Sequence, residues 1–190
     1  MIQQRALSHP LPEMDKREAV SGDTEFAAIF EAYYERIFNY IRYRVECRYT
    51  AEDLTSQVFE KTMAKRSTFR TDRSPFEVWL FAIARNTVND YFRRQRRQRL
   101  FSLDLFKEAV SGQKGPESLA MGKESEEHLN RALLSLNAKE RHIIALKFGA
   151  DLKNVQIAEL TGMSESNVGV TLFRVMKKLK FELERMGAHD

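Results

Sequence analysis

The chain has 190 residues but only one cysteine, Cys47, so no internal disulfide can staple it. A lone thiol fits a reducing compartment, and a partly buried core position is expected for it. Only four prolines occur: Pro10, Pro12, Pro75 and Pro116. Since proline costs a helix interior roughly 3 kcal/mol, long helices are possible over 17–74, 76–115 and 117–190. No run of about 18 apolar residues exists, which excludes a membrane-spanning helix and membrane insertion. The N-terminal MIQQRALSHPLPEMDKREAVSGD has no apolar core, so no secretory signal is read and the cytoplasm is the expected location. Histidines 9, 128, 142 and 189 are scattered, with no HExxH pair or His/Cys cluster. A phosphate-cradling glycine loop is missing too. No metal, no cofactor and no enzymatic activity are therefore expected.

Strand signals are equally scarce: there is no Asn-Gly or Asp-Gly turn and no well-alternating β-branched run. Helical spacing is everywhere instead. Phe26, Ile29, Phe30, Tyr33, Ile37, Tyr40 and Ile41 can share one stripe, with Asp23 as a cap. A second helix is expected over 51–65, capped by Thr50, with Glu52 and Asp53 in its first turn. Near Pro75 a third begins. Its buried face is Leu80, Ile83, Ala84, Thr87, Val88 and Tyr91, leaving Arg85, Asn86, Asn89 and Arg93 to point elsewhere. The helix then ends in RRQRRQR, five arginines between Arg93 and Arg99. The net charge of the chain is only +4, so this local density carries more meaning than the sum. Charge of one sign at this density exceeds what solubility requires.

After Leu100 the texture changes. Residues 101–128 carry Asp104, Glu108, Glu117, Glu124, Glu126 and Glu127 against Lys107, Lys114 and Lys123, with glycines around Pro116. This reads as a net-acidic linker, with a short apolar anchor around Phe101–Phe106. Helical spacing then returns in Leu129, Leu133, Leu136, Ile143, Ile144, Leu146 and Phe148. Asn137 and Glu140 stand as in a capping box. NVQIAELTGMSESNVGVTLFRVMKKLK has the spacing of a helix-turn-helix. Ile157 and Leu160 face inward, and Ala158 is small at the crossing. Gly162 suits the turn, Met163 fills behind it, Ser164 caps the next helix, and Val168 and Leu172 anchor it. Such a motif puts the N-terminal residues of its second helix against base edges.

AEDLTSQVFEKTMAK, STFRTDRSPFEVWLFAIARNTVNDYFRR and the helix-turn-helix, in this order and with these gaps, resemble a bacterial sigma factor of the extracytoplasmic-function group of the sigma-70 family. The resemblance implies an all-α fold of two small helical domains joined by a flexible linker. The divisions would be a mobile extension at 1–22, region 2 at 23–100, the linker at 101–128 and region 4 at 129–186. It implies a subunit that brings core RNA polymerase to promoter DNA, reads the −35 and −10 elements and melts the latter. An inhibitory anti-sigma protein is a further expected partner. A stand-alone helix-turn-helix regulator is the alternative.

Residue roles follow from the resemblance. Glu52, Asp53, Gln57, Phe59 and Lys61 would lie near the polymerase clamp helices, with Leu54 and Val58 in the core. Ser56, Gln57 and Met63 depart from the usual pattern and make this face less charged. Arg70, Asp72, Arg73 and Ser74 would line a pocket for an unstacked −10 base, whose extrusion costs a few kcal/mol. Arg85, Asn86 and Asn89 would reach bases or phosphates. Arg93, Arg94, Arg96 and Arg97 would contact successive phosphates and release counterions. At −35 the candidates are Glu165, Ser166, Asn167, Val170, Thr171, Arg174, Lys177 and Lys178, with Lys180 alongside. Asn167 suits an adenine edge and Arg174 a phosphate. Gly169 and Val170 replace more polar family residues, so close backbone approach or apolar readout is expected. The linker would thread the polymerase's RNA path.

Overall fold

The computed structural model describes residues 22–105, 129 and 131–187. Residues 1–21 of the expected extension (1–22) and the body of the linker, Phe106 included, lie outside the described residues, as do the side chains of 22–24 and 101–105. Among the described residues the α-helices with defined bounds are α1 (Gly22–Arg42), α2 (Arg48–Ala64), α3 (Phe76–Leu105), α4 (Ala138–Ile144), α5 (Asn154–Thr161) and α6 (Glu165–Gly187), and residues 129 and 131–134 are helical as well. A 3₁₀ turn, Arg66–Thr68, follows α2, and α4 runs into a π turn, Ala145–Gly149. Among the described residues there is no strand.

The first three helices bury the stripes that their spacing calls for. Ile37, Tyr40 and Ile41 of α1, Leu54 and Val58 of α2, and Leu80, Ala84 and Val88 of α3 are all 1% exposed or less. Each such side chain contributes about 1.5–3 kcal/mol by leaving water. Thr55 and Thr62 are buried as well, and their hydroxyls return to the carbonyls of Ala51 and Val58, so neither is left unsatisfied.

The helix boundaries differ from expectation at the start of α2 and at the end of α3. α2 starts at Arg48 after Cys47, so Thr50 lies inside the helix and does not cap it. Cys47 is exposed, correcting the expected core thiol: it stands in the bend between two helices and has its thiol pKa lowered by hydrogen bonds from Thr50. Glu52 and Asp53 therefore sit past the first turn and pair along the helix, Glu52 with Arg48 (3.0 Å) and Asp53 with Gln57 (2.7 Å). α3 continues through Leu105, five residues into the segment expected to be linker. Its 30 residues extend it to about 45 Å.

In the second half, Asn137 accepts from the backbone of Lys139 and Glu140 while Glu140 accepts from the Asn137 amide, so the capping box is formed. Gly162 ends α5 at φ 72°, the left-handed conformation that favours glycine. Ser164 Oγ accepts from the Asn167 amide at the start of α6. Ile157, Leu160, Val168 and Leu172 are buried as expected, whereas Phe148 sits in the π turn with half its surface exposed.

The two halves are not apart. α1 lies along the π turn and α3 along α5, and the buried residues of both halves form one contiguous cluster. Gly149 permits this. A Cβ on it would stand 2.8 Å from the Tyr40 Cα and N, closer than real contacts allow.

Candidate polymerase and nucleic-acid interfaces

The −10 candidates divide into two sets. Arg93, Arg94, Arg96 and Arg97 are exposed beyond the last core contact of α3. At 100° per residue they spread over one side of the helix, with Arg99 on the other. Asp90 offers the nearest restraint, its carboxylate 3.7 Å from Arg93 and its carbonyl accepting from Arg94 Nε at 3.4 Å. An exposed pair of that length holds little energy, so these guanidinium groups remain available to phosphates.

The loop before α3 is rooted by aromatic side chains. Phe69 meets Phe76 edge-on (5.3 Å between centroids) and Trp79 at 5.2 Å, while Arg66 covers the Phe69 ring and pairs with Glu25. Arg70, Asp72 and Arg73 project from this rooted base into solvent, on a turn closed by the Arg73 amide and the Arg70 carbonyl (3.2 Å).

Of the remaining −10 candidates, Ser74 and Arg85 face the other half of the protein, and Asn89 meets Arg44 of its own half. Ser74 donates to Glu159 (2.8 Å), Arg85 donates to the Leu160 carbonyl, and Asn89 accepts from Arg44 (3.5 Å). Asn86 stays exposed, as does Arg93. The expectation that Arg85 and Asn89 point freely outward is thus corrected: α5 engages Arg85, and Asn89 is half-buried against Arg44 of its own half.

On α2, Asp53 is exposed and Glu52 and Gln57 are half-buried on the same outer face, joined by Ser56 and by Glu60, the latter not singled out by the motif reading. Phe59 and Lys61 belong elsewhere. Phe59 is 3% exposed, 4.8 Å from the Phe30 ring and packed beside Tyr34 and Phe26. Lys61 donates to Thr87 of α3 at 3.2 Å. Both support the surface rather than form it. Phe30 and Tyr34 keep more than a third of their area exposed and make an aromatic ridge next to the acidic face. Phe30 reads as core from its helical spacing, but Phe26 and Phe59 cover it only in part.

In the helix-turn-helix, Glu165, Ser166, Asn167, Val170 and Arg174 are exposed on α6, Thr171 is half-buried and Lys177 is exposed. Lys178 is tied to Glu140 (3.1 Å), whose carboxyl is held low mainly by the Asn137 backbone amide. Lys180 lies 3.7 Å from Glu184. Gly169 faces the start of α5, 4.0 Å from the Asn154 amide nitrogen measured from its ideal Cβ. Phe173 is 73% exposed and was not foreseen, since a phenylalanine at helical spacing reads as core.

Where the halves meet, charge and hydrogen bonding are specific. Arg36 donates to the Ala150 carbonyl (2.9 Å) and to Glu77 (2.7 Å), and Gln156 donates to the other Glu77 oxygen (2.5 Å). Burial pushes the Glu77 carboxyl up, but the bonds from Arg36 and Gln156 outweigh it and hold it below its ordinary value. Arg44 donates to His142 Nδ1 (2.7 Å), so that nitrogen is an acceptor and the ring is neutral. Burial, then Arg44 and Arg85, lower the His142 pKa from 6.5 to about 3.

Comparison with known proteins identifies the two halves. Residues 29–98 match the family model of sigma-70 region 2, and residues 127–179 match that of sigma-70 region 4. The chain belongs to the sigma-70 family. Sigma factors are the subunits that direct RNA polymerase to promoters. This one falls in the extracytoplasmic-function group. It is 28% identical over 167 residues to the ECF RNA polymerase sigma factor BldN of Streptomyces coelicolor, covering 88% of this chain but only 63% of BldN. It is 29% identical over 175 residues to the ECF sigma factor SigD of Mycobacterium tuberculosis, covering 90% of this chain and 82% of SigD. The sigma factor RpoE of Bartonella quintana, solved with the anti-sigma factor NepR, shares the fold at TM-score 0.62 and 23% identity, over 85% of this chain and 96% of RpoE. No helix among the described residues is long and apolar enough to cross a membrane, and no group of three potential metal ligands occurs there.

Proposed function

We propose that this sigma factor guides core RNA polymerase to its promoters and melts the −10 element, acting as a non-enzymatic regulator in the cytoplasm. One observation carries the reading: an arginine-bearing helix extension, a rooted polar loop and a helix-turn-helix sit on one chain, in the order of sigma regions 2 and 4. Arg93, Arg94, Arg96 and Arg97 neutralise phosphates, and Arg70, Asp72 and Arg73 receive the extruded base. Glu165, Ser166, Asn167, Val170, Thr171 and Arg174 read the −35 groove, with Lys177 and Lys178 on its backbone. Glu52, Asp53 and Gln57 dock on polymerase, with Phe59 and Lys61 holding that face in place.

Ser74 and Arg85 can act on promoter DNA only after the two halves part, because the helix-turn-helix half now engages them. Separation also lets the two units reach elements lying apart on a promoter. The RpoE relative was solved with an anti-sigma factor, which supports an inhibitory anti-sigma protein as a partner here. Run-off transcription with purified core enzyme and a promoter library tests the reading. New start sites sharing −35 and −10 sequences are expected only when the chain is present. Duplex binding without core enzyme and without new transcripts would instead make it a stand-alone DNA-binding regulator.

A further inference from the structure

Arg44 is 7% exposed, yet every group that it touches is neutral. Its guanidinium meets the Tyr40 hydroxyl (3.2 Å), His142 Nδ1 (2.7 Å) and Asn89 Oδ1 (3.5 Å), and lies 5.8 Å from the Phe92 ring centre. Buried arginine is ordinarily paired with an acid, because an unpaired charge out of water is costly. Here a second cation stands close by instead. Arg141 of α4 donates Nη2 to the Leu134 and Leu136 carbonyls (3.2 and 3.3 Å), and its Nε is buried without a hydrogen-bond partner. Burial lowers the Arg141 pKa, Glu46 opposes this, and Arg44 lowers it further.

Both arginines line two adjoining clefts, of about 280 and 440 Å³. Arg42 and Arg131, which have partners of their own, border the first, and Arg93 and Phe92 border the second. Among the described residues, Glu46 is the one acid lining either. We propose that this joint between the two halves is a binding site for a small phosphate-bearing anion, held by Arg44 and Arg141. A single carboxylate would leave most of the positive charge unanswered. A di- or polyphosphate answers it, and the planar guanidinium fork matches its oxygens. The clefts are of a size that takes small organic ligands, and Phe92 offers a ring face to a nucleobase. Because Arg44 belongs to the first half and Arg141 to the second, the bound anion ties the halves together and favours the closed arrangement. The inference does not depend on the promoter reading.

Calorimetric titration and thermal melting of the full chain test it, with sodium pyrophosphate and ATP as probes at constant ionic strength set by chloride. One-to-one saturable binding with a rise in Tm is expected. Arg141→Gln is expected to weaken it at least tenfold, and Arg44→Gln likewise. Phe92→Ala separates the ligand sources: tighter wild-type binding of ATP that falls to the pyrophosphate level marks a nucleotide, and unchanged binding of both marks the phosphate alone. The paired substitution Arg96→Gln with Arg97→Gln, away from both clefts, is expected to leave binding intact. If Arg44→Gln does not fold, Arg141→Gln decides. The proposal is overturned if no saturable binding appears by millimolar probe. It is overturned equally if Arg141→Gln binds as wild type, or if Arg96→Gln with Arg97→Gln loses binding to the same extent.

Discussion

Gly149 and Tyr40 touch backbone to backbone: a Cβ on Gly149 would stand 2.8 Å from both the Cα and the N of Tyr40. Backbone on one side and a rigid turn on the other leave nothing flexible to yield. Gly149→Ala must therefore push α1 away from the π turn. Overpacking of this kind costs about 1–3 kcal/mol. A lower Tm and a larger radius of gyration by small-angle scattering are expected. Wild-type values for both would mean that this contact does not hold the halves together.

The same joint is expected to respond to acid. The folded-state pKa of His142 is depressed from 6.5 to about 3, so between those values the unfolded chain binds the proton and the folded chain does not. Stability is then fully present above about pH 6.5 and is lost as the pH falls toward 3, at up to about 1.4 kcal/mol per pH unit. Glu77 and Glu140, whose pKa values are also lowered, add their losses only below the ordinary carboxylate range near 4.5. Urea unfolding at pH 7, 6 and 5 isolates the histidine. A steep fall is expected for the wild type and a flat profile for His142→Gln, and parallel profiles would remove His142 as the cause.

How much of the fold and its surfaces is legible in the sequence depends on range. The α3 stripe from Leu80 to Tyr91, the Asn137–Glu140 capping box and the left-handed Gly162 are set by neighbours within one to three turns, and all are readable from spacing. Arg36 reaches a carbonyl 114 residues away, and Arg44 a histidine 98 residues away. No local pattern announces such partners. Arg85 reads as a free polar residue because its acceptor is a backbone carbonyl, which leaves no trace in side-chain identity. Gly149 sits in FGAD, where nothing marks it as the point at which two backbones meet. Phe59 reads as part of a docking face because its motif places it there, while its actual surroundings are Phe26, Phe30 and Tyr34.

The arginine extension of α3 makes a separate prediction. Replacing Arg93, Arg94, Arg96 and Arg97 by glutamine removes exposed groups, so Tm should move little. Promoter binding by the reconstituted holoenzyme should weaken sharply. Its salt slope should flatten by roughly 0.9 for each phosphate that is no longer neutralised. Filter binding or fluorescence anisotropy over a range of chloride concentrations measures both. Unchanged slopes would place promoter phosphates elsewhere on the protein.

Two glycines of the helix-turn-helix should respond in opposite directions to alanine. Gly162 has φ 72°, where a Cβ costs roughly 1–2 kcal/mol, so Gly162→Ala lowers stability although space around it is open. Gly169 lies within α6, where glycine is about 1 kcal/mol poorer than alanine, and the nearest atom to a new Cβ is the Asn154 amide nitrogen at an ordinary 4.0 Å. Gly169→Ala should therefore raise Tm. It also tests what the glycine is for. The residue faces α5 and not the exposed side of α6 that carries Asn167 and Arg174, so −35 affinity, measured with the holoenzyme on promoters with intact and scrambled −35 elements, should be preserved. A stabilised protein that no longer distinguishes the two promoters would show that DNA approaches the backbone at Gly169 after all, and that α5 must shift for it to do so.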